Sequence, residues 1–155
     1  MNKLFILFSS FVILHLASGI TLACSCEPVI VGTTQKQLID TAFAEAQAVF
    51  SARVLKIKHR KSTDRNPNPP VQITFKVLES WKGVKTEKIV VATDDNRYGG
   101  CGSEFEVGKS YLVYAYYWQS DKLETNQCTR TNELLDAERD LKLLGKSNAP
   151  KKAKT

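Results

Sequence analysis

The chain predicts a mainly β protein: a five-stranded closed barrel with two packing helices and an N-terminus stapled by disulfides. Three observations predict it. Five short segments rich in β-branched and aromatic residues are separated by turn signals, the spacing of a small barrel. Two other stretches repeat apolar residues at helical intervals. Four cysteines are present, two of them at Cys24 and Cys26, close to the start of the chain.

The first 23 residues read as a secretory signal peptide. Lys3 supplies the positive start, residues 4–17 form an apolar core, and Thr21 and Ala23 stand at the −3 and −1 positions before Cys24. That core is about 14 residues long, short of the roughly 20 needed to span a bilayer. Export and cleavage after Ala23 are therefore expected, with no stable membrane insertion. About 132 residues remain, enough for one domain with a real core.

The first helix opens at Thr33–Gln37, where Thr34 and Gln37 have capping-box spacing. Leu38, Ile39, Ala42, Phe43 and Ala46 then recur at helical intervals. Residues 48–58 (AVFSARVLKIK) suit a first strand. Residues 59–70 (HRKSTDRNPNPP) are charged and proline-rich, hence a loop. In the second strand, residues 71–78, Val71, Ile73, Phe75 and Val77 face one way while Gln72, Thr74 and Lys76 face the other. Trp81-Lys82-Gly83 turns the chain into a third strand at 87–93. The loop Asp94–Gly102 follows, its three glycines flanking Cys101, and positive φ angles are expected there. Tyr111–Trp118 forms a fourth strand that is apolar on both faces, and a turn at 119–121 leads to a fifth strand from Leu123 to Asn126. A last helix carries Leu134, Ala137, Leu141 and Leu144 on one stripe, with Gly145 as its stop.

Charge narrows the function classes. The formal net charge is +6, but Lys146, Lys151, Lys152 and Lys154 all lie in the last ten residues and Lys3 lies in the leader. The body at 24–145 is left at about +1, so no nucleic-acid surface is expected. Residues 146–155 read as a disordered basic tail. His59, the sole histidine after the leader, reads as solvated, and so does the Asp94-Asp95 pair. No GxSxG, HExxH or phosphate loop occurs, and no Cys/His set has metal-ligand spacing. CSC lacks the CxxC form of a redox pair. An enzyme is not expected.

In an exported protein four cysteines read as two disulfides. Cys24 and Cys26 are too close for an unstrained mutual bridge, leaving Cys24–Cys101 with Cys26–Cys128 or the crossed pairing. Each bridge closes a long loop and is worth roughly 4 kcal/mol or more in the chain-entropy model. Cleavage after Ala23 would also leave Cys24 with a free amine and a carbonyl on one exposed residue, a pair able to chelate a metal held by another protein.

These residues resemble those of a known family. Cys24-Ser25-Cys26-Glu27-Pro28 resembles the CxCxP start of the tissue inhibitors of metalloproteinases. The remainder of 24–145 resembles their inhibitory N-terminal domain, a netrin-like barrel of OB-fold type. The similarity runs through Ala48-Val49-Phe50, Trp81-Lys82-Gly83, Cys101-Gly102 with Phe105 and Gly108, Tyr111–Tyr114, and Cys128-Thr129-Arg130. It implies the bridges Cys24–Cys101 and Cys26–Cys128. It also implies a monomer that inhibits zinc metalloendopeptidases and has no cofactor of its own. The Cys24 amine and carbonyl would chelate the target's zinc, which has an open position for them. Ser25 would enter the specificity pocket. Cys26, Glu27 and Pro28 would continue along the cleft, with Tyr98, Gly99 and Gly100 alongside. Two family features are absent: a third bridge, since no cysteine lies between Cys26 and Cys101, and a cysteine-rich second domain. This single-domain form resembles bacterial-type relatives. Two other readings stand beside it: a netrin-like binding module that inhibits nothing, and a periplasmic or lipid-anchored envelope protein acylated at Cys24.

Overall fold

The computed structural model describes residues 24–118 and 121–148. The expected signal peptide, the basic tail after Asn148 and part of the turn at 119–121 lie outside the described residues. The elements run α1 (Gln35–Glu45), β1 (Ala48–Lys58), β2 (Val71–Lys82), β3 (Lys88–Thr93), a 3₁₀ turn (Asn96–Tyr98), β4 (Ser110–Tyr117), β5 (Leu123–Glu124), β6 (Asn132–Glu133) and α2 (Glu138–Leu144).

Five of the strands close on themselves. β1 pairs antiparallel with β2, and β2 with β3. β3 meets β5 in parallel at Ala92 and Glu124, β5 pairs antiparallel with β4, and β4 returns to β1. β6 adds to β4 at Tyr111 and Leu112, sharing an edge with β5. The expected five-stranded barrel is present. Closing so few strands needs strong bending, and β1 supplies it with register shifts at Val49/Phe50, Ser51/Ala52 and Val54/Lys56.

The apolar pattern explains which face each strand buries. In β2, Val71, Ile73, Phe75 and Val77 all point into the barrel, as their alternation predicts. β1 and β4 are buried on both faces because they lie between two cores. Ala48, Phe50, Ala52 and Val54 meet Tyr111, Val113 and Ala115 inside the barrel. Val49, Leu112 and Tyr114 face a second cluster, packed by Ala42 and Phe43 of α1 and by Leu141 and Leu144 of α2. Phe50, Phe75, Phe105 and Tyr111 form an edge-to-face series with centroids 4.8–6.0 Å apart.

The capping box forms as expected. Thr34 Oγ1 accepts from Gln37 N, and Thr34 N donates to Gln37 Oε1 at 2.8 Å. At the other end of α1, Lys82 Nζ donates to the carbonyls of Phe43 and Ala44, both at 2.8 Å, where unpaired carbonyls favour a cation. β3 and β4 shift by one residue from the sequence reading, and three boundaries differ by more. β2 runs on through Trp81 to Lys82 before turning at Gly83. β5 holds only two residues: Thr125 N makes its last bond to β3, at Ala92 O, and Asn126 bridges Gly102 instead. The last helix starts at Glu138, so Leu134 joins the second core from the preceding turn.

Beneath α2 lies a buried polar knot. Arg130 Nε and Nη2 donate to the two Asp140 oxygens at 2.8 and 2.7 Å, and the Tyr114 hydroxyl donates to Asp140 Oδ2 at 3.0 Å. Burial, then the Asp140 charge, pushes the Tyr114 phenol well above its usual range. A carboxylate inside a protein is tolerated when its lone pairs are filled in this way.

Candidate functional site

The site begins with how two cysteines one residue apart reach the barrel. The chain segments carrying their partners run together: Gly102 bridges Asn126, and Gln127 N bonds Cys101 O at 2.9 Å. Asn126 Oδ1 accepts from Cys128 N at 2.9 Å, fixing the second anchor. Of the two pairings that spacing leaves open, the structure has Cys24–Cys101 and Cys26–Cys128, with Cα–Cα distances of 5.6 and 5.2 Å. The bridges span sequence separations of 77 and 102 residues. Two such bridges are at home in an oxidising, extracytoplasmic compartment. Among the described residues, no helix is long and apolar enough to cross a membrane.

Between and beyond these anchors the chain is out in solvent. Cys24 is half-buried, whereas Ser25, Cys26, Glu27 and Pro28 are exposed. Val29, Ile30 and Val31 follow at 60, 80 and 100% exposure, an apolar run that nothing in the described residues covers. It ends at a turn where Gly32 takes φ +91° and Thr33 N and Oγ1 both donate to Ile30 O. Residues 24–31 are therefore held at both ends, by disulfides and by the turn into α1. The four principal clefts, about 370–840 Å³, are lined by other segments, apart from Cys128 at the edge of one. The candidate site is thus an exposed ridge of chain tied down at Cys24 and Cys26 rather than a cleft.

Tyr98, Gly99 and Gly100 are brought to this ridge through Cys101, with Cys24 Sγ lying 3.9 Å from Gly100 O. Of the residues singled out in the sequence, the structure brings Cys24 against Gly100 and ties Cys26 to the adjoining segment at Cys128. In the full chain the Cys24 nitrogen is an amide joined to Ala23, so a chelating amine exists there only after cleavage. Among the described residues, no group of three or more His, Cys, Asp or Glu side chains is placed to hold a metal ion.

The loop beside the ridge differs from its sequence reading in two ways. First, of its glycines only Gly99 has positive φ, at +78°. Gly100 and Gly102 are needed for close approach: an added Cβ would lie 2.6 Å from Asp94 Cβ at Gly100 and 2.0 Å from Asp94 O at Gly102. Second, Asp95 is not solvated; its side chain is 2% exposed. Asp95 Oδ1 caps the 3₁₀ turn by accepting from Arg97 N at 3.1 Å. Arg97 also donates from its guanidinium to both oxygens, and His59 Nδ1 lies 3.4 Å from Oδ2.

His59 is accordingly a partner of a buried carboxylate rather than a free surface group. The Arg97 guanidinium holds the Asp95 carboxyl well below the usual carboxylate range, against the upward push of burial; Arg97 N–H and His59 add to the lowering. Asn96 closes the loop from within: its Oδ1 accepts from Gly102 N at 2.8 Å and its Nδ2 donates to Gly102 O at 3.1 Å. Sequence reasoning missed this cluster. Asp95 followed two residues later by Arg97 was the available signal, since an Asx turn and an ion pair can share one carboxylate at that spacing.

Fold and site define a class: a small, disulfide-bonded, five-stranded β-barrel protein whose N-terminal segment is tied to its loops. No protein-family model matches the chain, and no curated protein matches it either.

Proposed function

We propose that this protein is a secreted inhibitor of zinc metalloendopeptidases acting through Cys24 and Ser25. One observation carries the reading: a Cys-x-Cys-x-Pro segment, exposed from Ser25 to Pro28, is anchored at both half-cystines to adjoining loops of the barrel. Its likeness to the tissue inhibitors of metalloproteinases supports the same reading. After cleavage behind Ala23, the Cys24 amine and carbonyl form a small chelate ring with the zinc of the partner enzyme. They occupy the position that its hydrolytic water requires. Ser25 projects into the adjoining specificity pocket, where its small hydroxyl is accepted by several pocket shapes. Cys26, Glu27 and Pro28 continue along the cleft.

The disulfides fit this role energetically. A ridge that is already fixed loses little conformational entropy on binding, and that saving appears directly as affinity. The amine must be neutral to bind metal, and its unperturbed pKa is about 7.7–8.0. Inhibition therefore strengthens as pH rises toward 8. The zinc belongs to the target, and the chain acts as a monomer without catalysis of its own.

Titration of zinc endopeptidases with the mature form, and with a form carrying one extra N-terminal alanine, tests the reading. The mature form should inhibit, and the extended form should lose at least about a hundredfold in potency, as expected when a metal chelate worth several kcal/mol is removed. Equal potency of the two forms would refute chelation. Absence of inhibition by both would leave a binding module on the same barrel. The mass of the exported protein decides between a free Cys24 and the lipid-anchored alternative, because acylation blocks the amine.

A further inference from the structure

We infer that Asp95 is the positioning residue of the ridge, holding the strap 96–102 and through it the Cys24 end. The inference rests on the reading of Cys24 given above, and it stands on geometry that reading does not use.

The strap has no apolar anchor of its own. No residue from Asp94 to Gly102 belongs to either hydrophobic cluster; the next core contact along the chain is Phe105. Its conformation must come from polar contacts and from Cys101. At its start those contacts meet at Asp95, while its far end is held at Cys101 and Gly102 by Gln127 and Asn126. The carboxylate is buried yet faces the half-exposed Arg97 guanidinium and the half-exposed His59 ring, 54% and 48% exposed. Its backbone carbonyl receives Tyr98 N at 3.0 Å and Gly100 N at 3.3 Å. The residue therefore shapes the turn through its backbone while its side chain fastens that turn to His59, at the end of β1. Asn96 then ties the far end of the strap at Gly102.

The only covalent link from strap to ridge is Cys24–Cys101; Cys26–Cys128 leaves the neighbouring segment 126–128, which meets the strap at Gly102 and Cys101 but holds Cys128 N through its own Asn126 side chain. Loss of the Asp95 carboxylate should therefore loosen Cys24–Cys101, whose Cys101 lies in the strap, far more than Cys26–Cys128, whose Cys128 lies outside it. A residue important only for general stability would loosen both.

The test compares the native protein with Asp95→Ala and Asp95→Asn, using an added dithiol reductant and mass mapping of the thiols formed. Losing two or three charge-assisted bonds should open the strap enough to speed reduction of Cys24–Cys101 about tenfold or more. Reduction of Cys26–Cys128 should stay within about twofold of native on the same reasoning. Amide hydrogens of residues 98–102 should exchange faster, while those of β1 and β4 keep their protection.

Equal acceleration of both bridges, or no acceleration of either, would overturn the inference. If Asp95→Ala does not fold, His59→Ala and Arg97→Ala each remove one partner and should give smaller changes in the same direction. Inhibition of a zinc endopeptidase is read in parallel, and the variants should weaken it about tenfold. If the native protein inhibits nothing, the proposed function fails while the reduction and exchange results still decide the role of Asp95.

Discussion

Replacement of Gly102 by alanine tests how the ridge is held. The new Cβ would lie 2.0 Å from Asp94 O, 2.8 Å from Asp94 C and 3.0 Å from Thr93 Oγ1. Non-bonded carbon contacts are comfortable at about 3.5–4.0 Å, so the backbone must move by more than 1 Å. Both obstructing carbonyl atoms belong to main chain, so no rotamer change relieves the clash. The movement breaks the two bonds between Asn96 and Gly102, worth about 1 kcal/mol each, and adds overpacking strain of about 1–3 kcal/mol. The total is about 3–5 kcal/mol. For a domain of this size that lowers Tm by roughly 12–20 °C.

Gly99→Ala is the matched control. Its Cβ meets nothing within 4 Å, but φ is +78°, so it costs only about 1 kcal/mol of left-handed strain and about 4 °C. Thermal unfolding of the disulfide-intact proteins, followed by circular dichroism, measures both. A Gly102→Ala protein within a few degrees of native, or no worse than Gly99→Ala, would refute the packing argument.

Three other outcomes follow from the same contacts. The folded-state pKa of Asp95 is depressed, so its contribution is complete above the ordinary carboxylate range near about 4 and is lost as pH falls from there. Asp95→Asn should therefore flatten the decline of urea-unfolding stability between about pH 4 and 2, and parallel profiles would contradict this. The Tyr114 phenol is raised, so stability is intact below about pH 10 and falls above it. Tyr114→Phe should remove that part of the alkaline loss and cost about 1 kcal/mol at neutral pH, because Asp140 keeps both Arg130 bonds. Replacing Cys26 and Cys128 together by serine should cost about 4–5 kcal/mol in denaturant unfolding, since the bridge spans 102 residues.

Much of the fold was legible because local and global demands agree. The strict alternation of β2 leaves one register that buries Val71, Ile73, Phe75 and Val77, and the Thr34/Gln37 box marks where α1 begins. The doubly apolar β4 was legible as a strand, but its reason is tertiary: it separates the barrel core from the cluster under the helices. β5 was overextended because Thr125 and Asn126 continue a strand-like pattern, while the Thr125 hydroxyl bonds Thr129 and Thr131 and Asn126 bridges Gly102. At the site, the cysteine pairing needed the Gly102–Asn126 bridge, a contact across 24 residues that spacing cannot show. Asp95 was hidden for a similar reason. A turn aspartate is ordinarily solvated, and only His59, 36 residues away, together with Arg97 makes its burial affordable. The glycines carried a correct signal with a partly wrong cause, since two of the three serve close approach rather than positive φ.

The central claim is that the Cys24 amine and carbonyl bind the metal of a target protease. A cobalt-substituted zinc endopeptidase reports this directly, since its visible absorption depends on the ligands and coordination number of the metal. Addition of the protein cleaved after Ala23 should change the cobalt bands in proportion to inhibitor added, reaching a plateau at one molecule per active site. The alanine-extended form should leave them unaltered. An unaltered spectrum with the mature form, at concentrations that fully inhibit the enzyme, would contradict the account.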